Sequence, residues 1–453
     1  MAIWLPRSGI RSGISGRAAL GLVAIALSLC PAAPAANVFS GRHKKAATAA
    51  PPAGGITASQ PPAFSIPVEP LGFSPPGPYY QGQRETLVSL DFLDEDRLLF
   101  SFRAPGLLHR SEDGENEPRQ IRALVLSLPT GALSAEALWT LHDHERYLWM
   151  LGGGRFLLRD GDMLRQGDAT LELKPLLHFP GPLLWMELDP AQQYLVTDSH
   201  EPPGAETHNG QVASPATAQA EVEEDAASAA GQSQTGQSQA GQPEIVLRIL
   251  RRSSGQVLLV SHVRTIVHVP ISSEGYLEAL RSTGRDWMLN LNYFTGGSRL
   301  VGRVTSICEP PLAFLAREVI LANTCTAQGG RDLVALTTDG HRLWSAPAPP
   351  TQVWPLLVPS PDGSRLARET LSITHPIGPY DPLSFDDVTG QLIEVFDAAT
   401  GALALKAPAG PVLDGGGNVA LSPSGRRVAI LNGGSIQVYD LPAAPPPAHP
   451  AKP

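Results

Sequence analysis

The sequence predicts an all-β fold made of repeated four-stranded units. One phrase occurs twice near the C-terminus, as SPDGSRLA at 360–367 and as SPSGRRVA at 422–429. In each copy Pro presets φ, Asp or Ser can bond back to the backbone and Gly accepts a positive φ, so each copy is a tight turn that leads into a strand. The charged fraction of 17% is low, and 44 Gly and 44 Pro favour sheets and turns over long solvated helices.

Residues 1–35 are predicted to be an export signal. Three arginines precede an apolar run over 18–30, and small residues suited to cleavage follow. The run is shorter than the roughly 20 residues that a membrane span needs, so we expect cleavage, with an uncleaved anchor as the alternative. The expected destination is the periplasm or the medium, with no transmembrane span after cleavage.

Composition divides the rest of the chain. Residues 36–84 are rich in Ala, Pro and Gly and are expected to be a linker, and 443–453 are expected to be a solvated tail. Residues 85–442 carry the strand patterns. Within them, 201–243 hold little apolar surface to offset ordering entropy, which predicts a disordered insert inside one unit.

A second type of turn recurs along the chain, always between a β-rich run and another apolar residue. It occurs at 126–131, 250–255, 336–340 and 396–401. A turn at a fixed place in each unit is typical of a repeat architecture, because each unit is one supersecondary structure.

These two turns resemble those of the WD40-like and TolB-type repeat families, in which a turn of the form S-P-D-G opens a blade. The resemblance implies a β-propeller of four-stranded blades. About 315 residues remain after the insert is subtracted, and about 42 residues per blade give seven blades, within a range of six to eight. Because a closed ring leaves no unpaired end, we expect the strand near 86–92 to complete the sheet that contains 428–439.

Cys308 and Cys325 are the two cysteines that remain after the predicted cleavage. An even pair in an exported chain is compatible with a disulfide, and the residues between them can form a turn and the next strand. The alternative is two separate buried thiols.

Candidate chemistry is sparse. His142 and His144 share one face of a possible strand and could ligate a metal, but two ligands do not complete a site, and a polar loop is the simpler interpretation. No cofactor is expected. His375, Tyr380, Phe385 and Asp386 lie in an oversized loop over 373–388, which is a weak candidate for partner contact.

The sequence therefore predicts an exported, monomeric, non-catalytic propeller that binds a protein or glycan in the cell envelope. The net charge of −9 gives no sign of the basic face that nucleic-acid binding requires. The alternative is a propeller enzyme of lactonase or hydrolase type, with a metal or carboxylates in the central channel. The chain lacks a Gly-x-Ser-x-Gly elbow and a His-Glu-x-x-His motif, which favours the binding function.

Overall fold

The computed structural model describes residues 60–75, 87–104, 118–142, 146–201, 244–378, 381–413 and 415–443. The predicted signal, most of the predicted insert and most of the tail lie outside these residues, as do His144 and Tyr380. Glu201, expected to begin the insert, is instead the last residue of a strand.

The described strands form seven antiparallel sheets, which we number as blades in chain order. The chain begins with β1 (Phe64–Pro67) and a 3-10 helix at Glu69–Leu71. Blade 1 contains β2 (Ser89–Asp94), β3 (Arg97–Arg103), β4 (Arg119–Ser127) and β5 (Ala132–Leu141). Blade 2 contains β6 (Leu148–Gly152), β7 (Arg155–Asp160), β8 (Met163–Asp168) and β9 (Lys174–His178). Blade 3 contains β10 (Leu183–Leu188), β11 (Tyr194–Glu201), β12 (Glu244–Arg251) and β13 (Val257–Val263).

The second half of the chain continues in the same way. Blade 4 contains β14 (Gly275–Arg281), β15 (Asp286–Tyr293) and β16 (Ser298–Thr305). Blade 5 contains β17 (Leu312–Ala316), β18 (Val319–Cys325), β19 (Arg331–Thr337) and β20 (Arg342–Ala348). Blade 6 contains β21 (Gln352–Pro359), β22 (Arg365–Ile373), β23 (Val388–Asp397) and β24 (Leu403–Ala409), with a 3-10 helix at Phe385–Asp387. Blade 7 contains β25 (Val419–Leu421), β26 (Arg427–Asn432), β27 (Ser435–Asp440) and β1.

The sheets are arranged radially, because the first strands of neighbouring blades lie against one another. β2 contacts both β6 and β25, and β21 contacts β25. The fold is therefore a seven-bladed β-propeller, as the sequence predicts. Each complete blade sends its chain into the first strand on one face of the ring, which we call the upper face. The second-to-third connections share that face, because successive strands are antiparallel.

The repeated S-P-x-G phrases are the first-to-second turns of blades 6 and 7, on the lower face. Gly363 and Gly425 have φ of 71° and 63°, the left-handed conformation that glycine adopts without strain. The two turns also contact each other, since the Asp362 N–H donates to the Pro423 carbonyl at 3.2 Å. The phrase thus fixes the packing of two neighbouring blades as well as a local turn.

Ring closure differs from the expectation. The strand that completes blade 7 is β1, which pairs with β27 through Phe64–Val438 and Ile66–Ile436. The prediction that a strand near 86–92 closes the ring is wrong, because β2 is the innermost strand of blade 1. β1 also lies within the stretch expected to be linker. Four residues among many prolines give too short an alternation to be recognised in the sequence.

The core lies in layers between blades. Ile66, Leu98, Phe100 and Val438 belong to one layer that joins blades 7 and 1. Phe73, which follows β1, packs its ring against Phe100 with centroids 5.3 Å apart. The N-terminal strand therefore adds apolar contacts as well as backbone hydrogen bonds to the closed ring.

Blade 4 has a different inner edge. Its glycine-containing turn at Gly296 and Gly297 joins β15 to β16, and in blades 1, 3, 5 and 6 such a turn joins the third and fourth strands. β14 lies against β17, as the second strand β22 lies against β25. The three described strands of blade 4 are therefore its second, third and fourth. Residues 264–271 occupy the place of the first strand without forming one.

Among the residues that the structure describes, no helix is long and apolar enough to cross a membrane.

We predict that Ile66→Ala destabilises the ring. Ile66 is 3% exposed, so its truncation should lower the free energy of unfolding by about 2–5 kcal/mol. The matched control is Ser65→Ala, which changes an exposed neighbour in β1 and should alter stability by less than about 0.5 kcal/mol. Denaturant unfolding measures both. Equal effects of the two substitutions would show that closure does not depend on this strand.

Candidate functional site at the upper face

Three charged side chains from successive blades interact near the central axis. Asp91 lies in β2, Arg146 lies two residues before β6, and Glu187 lies in β10. The Ser89 hydroxyl donates to Asp91 Oδ2 at 2.6 Å, and Arg146 Nε donates to the Leu148 carbonyl at 3.1 Å. The positive charge of Arg146 acts on both carboxylates. We call Asp91, Arg146 and Glu187 the axial cluster.

The two carboxylates of the axial cluster have pKa values close to neutral pH. Burial raises the pKa of Asp91 to about 6. The hydrogen bond from Ser89 and the positive charge of Arg146 act in the opposite direction and lower it. Burial also raises the pKa of Glu187 to about 7, a shift that the positive charge of Arg146 opposes. Shifts of this kind in partly accessible side chains are typical of groups that exchange protons in a functional site, although structural ion pairs produce them too. The cluster could act in general acid–base chemistry.

A fully buried acid in blade 6 has a structural role instead. Glu369 in β22 is 2% exposed and accepts a hydrogen bond from the Gln391 side-chain amide. Gln391 also donates to the Leu413 carbonyl at 2.8 Å, and its Oε1 accepts from Asn418 Nδ2 at 2.7 Å. Burial raises the pKa of Glu369 to about 8, so this acid is protonated at neutral pH. The network fastens the connection from blade 6 to blade 7.

A second feature of the upper face is the irregular inner edge of blade 4. Ile271 forms an isolated bridge with Tyr276, and the Leu277 N–H donates to the Pro270 carbonyl at 2.9 Å. Proline has no N–H to return a bond, so the ladder beside β14 ends there. Above this point, the segment contacts blade 3 instead of β14.

The upper part of this segment is fixed to blade 3. The Val267 N–H donates to Asp198 Oδ2 in β11 at 2.7 Å, and the His268 ring stacks on Trp185 of β10 with centroids 4.6 Å apart. Asp198 is fully buried, and its Oδ1 has no hydrogen-bond partner among the described residues. Burial raises the pKa of Asp198 to about 7 and lowers that of His268 to about 4. At neutral pH His268 is therefore an uncharged aromatic contact.

Apolar side chains remain exposed around this edge. Ile266 is 39% exposed, Val267 36% and Leu280 38%. The register of the bridge between 271 and 276 places 266 and 267 opposite the end of β14 that carries Leu280. The upper, inner edge of blade 4 is thus an apolar position next to an interrupted strand.

His142, one of the two histidines predicted as weak metal ligands, bonds to an aspartate. His142 Nδ1 lies 3.0 Å from Asp160 Oδ1, and the His142 N–H donates to the same oxygen at 3.1 Å, which fixes an exposed loop. His144 lies outside the described residues. Within the described part of the chain, no group of three or more His, Cys, Asp or Glu residues is placed to hold a metal ion.

Cys308 and Cys325 are joined in a disulfide, with a Cα–Cα distance of 5.6 Å. The bond links the connection between blades 4 and 5 to the end of β18, on the upper face. A small depression beside it, lined by Cys325, Arg331 and Ile377 among others, has room for about one water molecule. It is too small for an organic ligand.

The loop over 373–388 lies on the upper face, between β22 and β23. His375 and Asp386 are exposed and Phe385 is half-buried, while Tyr380 lies outside the described residues. The Thr374 N–H donates to the Asp387 carbonyl at 2.9 Å, which closes the base of the loop. These described positions are accessible and form no hydrogen bond or ion pair with the axial cluster or with the edge of blade 4. Contact with a partner stays a prediction.

Sequence reasoning missed the axial cluster and the edge of blade 4. Glu187 is the single charged residue in LLWMEL, which is the signal that could have identified it. Pro270 in the run over 266–271 could have indicated a broken inner strand. The convergence of three blades on Arg146 depends on the ring and has no local signal.

Comparison with known proteins identifies no family. No family model matches the chain, and no curated protein matches it. Solved structures match the chain at low identity. An acylaminoacyl peptidase of Pyrococcus horikoshii matches with a TM-score of 0.44 and 8% identity, over 76% of this chain and 48% of that one. The C-terminal WD40 domain of Sif2 matches with a TM-score of 0.36 and 10% identity, over 79% of this chain and 97% of that one.

A chain of a mitotic checkpoint complex matches with a TM-score of 0.43 and 10% identity, over 89% of this chain and 98% of that one. This chain spans about half the length of the peptidase that it matches.

We predict that Glu369→Gln weakens the pH dependence of stability. The pKa of Glu369 is raised in the folded state, so its contribution is complete below about pH 4.5 and is lost as the pH rises towards 8. Glutamine mimics the protonated acid and retains the acceptor for Gln391. Relative to the variant, the natural protein should lose at most about 1.4 kcal/mol per pH unit in this window.

Urea unfolding at several pH values between 4.5 and 8.5 provides the measurement. Glu318→Gln, at an exposed turn position, is the control and should leave the pH profile unchanged. Parallel profiles of the natural protein and Glu369→Gln would overturn the assignment of Glu369 as a buried, protonated acid.

Proposed function

We propose that the protein is an exported, non-catalytic scaffold that binds a partner protein through blades 3 and 4. The binding surface runs from β13 to β16 and includes the irregular segment over 264–271. We call it the blade 3–4 sector.

The distribution of exposed apolar side chains carries this proposal. Nine large hydrophobic residues are exposed among those that the structure describes, and six of them lie in the blade 3–4 sector. These six are Leu258, Val260, Ile266, Val267, Leu280 and Leu300. Concentration of exposed apolar groups in one part of a surface marks interaction sites, whereas scattered single groups do not.

The chemistry of this surface favours a protein over the other partner classes. All nine exposed hydrophobic residues are aliphatic, and a glycan would be better matched by exposed aromatic rings. The rigid ring suits a scaffold, since it holds connecting loops in fixed positions. Export is supported by the N-terminal sequence pattern and is compatible with the bridged cysteine pair, because disulfides persist in oxidising compartments.

The axial cluster supports a second candidate, a hydrolase that uses the Asp91 and Glu187 carboxylates. Their pKa values of about 6 and 7 would allow one group to be protonated and the other ionised near neutral pH. This candidate is second because the Ser89 hydroxyl bonds to Asp91 Oδ2 at 2.6 Å, but no histidine bonds to this pair among the described residues.

We predict that photo-crosslinking will distinguish the blade 3–4 sector from the rest of the ring. A photoreactive amino acid at Ile266 or Val260 should give a discrete protein adduct in the native host, because both side chains are exposed in the sector. The same group at Leu133 in blade 1, which is 48% exposed, is the control and should give none. Adducts at all three positions, or at Leu133 alone, would overturn the proposed surface.

We predict the following for the second candidate. Any hydrolysis of simple lactones or aryl esters that depends on the axial cluster should fall at least tenfold in Asp91→Asn and in Glu187→Gln. Glu369→Gln, which removes a buried acid away from the cluster, should retain the rate. If the purified protein hydrolyses none of these substrates, or if all three variants hydrolyse them equally, the hydrolase candidate fails.

A further inference from the structure

The inner edge of blade 4 offers unpaired backbone groups. Because the Leu277 N–H points to Pro270, the next residue facing this edge is Ala279, two positions along β14. On this side, neither the N–H nor the carbonyl of Ala279 bonds to the backbone of any described residue. The other edge of β14 is fully paired with β15, through Ala279–Leu289 among other pairs.

The segment that should cover this edge is held away from it. Its Val267 N–H is bonded to Asp198 and its His268 ring is stacked on Trp185, both in blade 3. Pro270 has no N–H to donate to the Leu277 carbonyl, so the ladder also lacks one bond at this position. The opening is therefore fixed by specific contacts on the neighbouring blade.

The ring itself indicates what fits the opening. In the six other blades, a regular strand occupies the innermost position. Extended peptides add to exposed sheet edges, where backbone hydrogen bonds provide affinity and side-chain contacts provide selectivity. The exposed apolar groups of Ile266, Val267 and Leu280 lie beside this position, and Arg264 and Glu278 nearby carry opposite charges.

We propose that the upper inner edge of β14 binds a short, extended, uncharged segment of the partner protein, which joins blade 4 as an antiparallel strand. This inference rests on the proposed protein-binding function. The segment has about four or five residues, because the opening extends from Leu277 to Arg281 and each strand residue advances about 3.3 Å. Its β-branched side chains pack against Ile266, Val267 and Leu280.

The direct test is amide hydrogen exchange at Ala279 with a blocked hexapeptide of alternating threonine and valine as the probe. In the free protein the Ala279 amide should exchange at least tenfold faster than the Leu277 amide, which is bonded to Pro270. Millimolar peptide should slow exchange at Ala279 at least fivefold. Slow exchange in the free protein, or no protection by the peptide, would overturn the inference.

Backbone methylation of the probe tests the strand geometry. In a strand that pairs on one edge, alternate N–H groups face β14, so N-methylation of one alternate set should abolish protection and methylation of the other should not. Equal effects of the two sets would indicate apolar adhesion instead of strand addition and would overturn the inference.

Variants separate this inference from the broader proposal. Ala279→Pro removes the edge-facing N–H without removing a bond to β15, and Leu280→Asp places a charge beside the edge. Leu280→Asp should reduce the protection of the Ala279 amide by the peptide at least tenfold. Ala279→Pro has no amide proton at this position, so its peptide affinity is measured instead and should fall at least tenfold. Leu343→Asp, at an exposed leucine of blade 5 outside the blade 3–4 sector, is the control and should change neither. A crosslinked partner lost in Ile266→Asp but retained in Ala279→Pro and Leu280→Asp would support the scaffold and overturn strand addition.

Discussion

The pairing of β1 with β27 is the interaction on which the rest of the ring depends. Six blades are formed from consecutive segments, and the seventh is completed by a strand from the other end of the described chain. Without β1, the outer edge of β27 would lack its partner, and Ile66 and Phe73 would leave the apolar layer between blades 7 and 1. Every central feature requires this closure, since the axial cluster combines side chains from three blades whose mutual positions are set by the ring.

Buried charge is distributed in two ways around this ring. Arg248 with Glu201 in blade 3, and Arg368 with Glu394 in blade 6, are paired within one sheet and almost inaccessible. Such pairs offset their own desolvation and add little net stability, although loss of one partner is costly. The axial cluster differs because its members come from different blades and keep contact with solvent. The origin of the partners and their accessibility to solvent separate the two groups.

The sequence allowed prediction of what is local and repeated. The S-P-x-G turns, the glycine turns between third and fourth strands, and the number of blades all follow from short patterns that recur. The sequence did not indicate the closing strand, because Phe64 and Ile66 lie among prolines and form a strand only by pairing with β27. The axial cluster was missed for the same reason, since Arg146 meets its carboxylates only after three blades are assembled.

Blade 4 shows how a repeat can acquire a specific site. A regular blade pairs the inner side of its second strand with its own first strand, so that side of the second strand is covered. In blade 4 a single proline ends the ladder, and the contacts of Val267 and His268 with blade 3 hold the remaining segment aside. Because the other blades keep the ring rigid, the open edge of β14 stays in place without a partner. A repeat protein thus gains a binding position where one unit departs from the pattern, and the apolar side chains of the blade 3–4 sector are exposed at that departure.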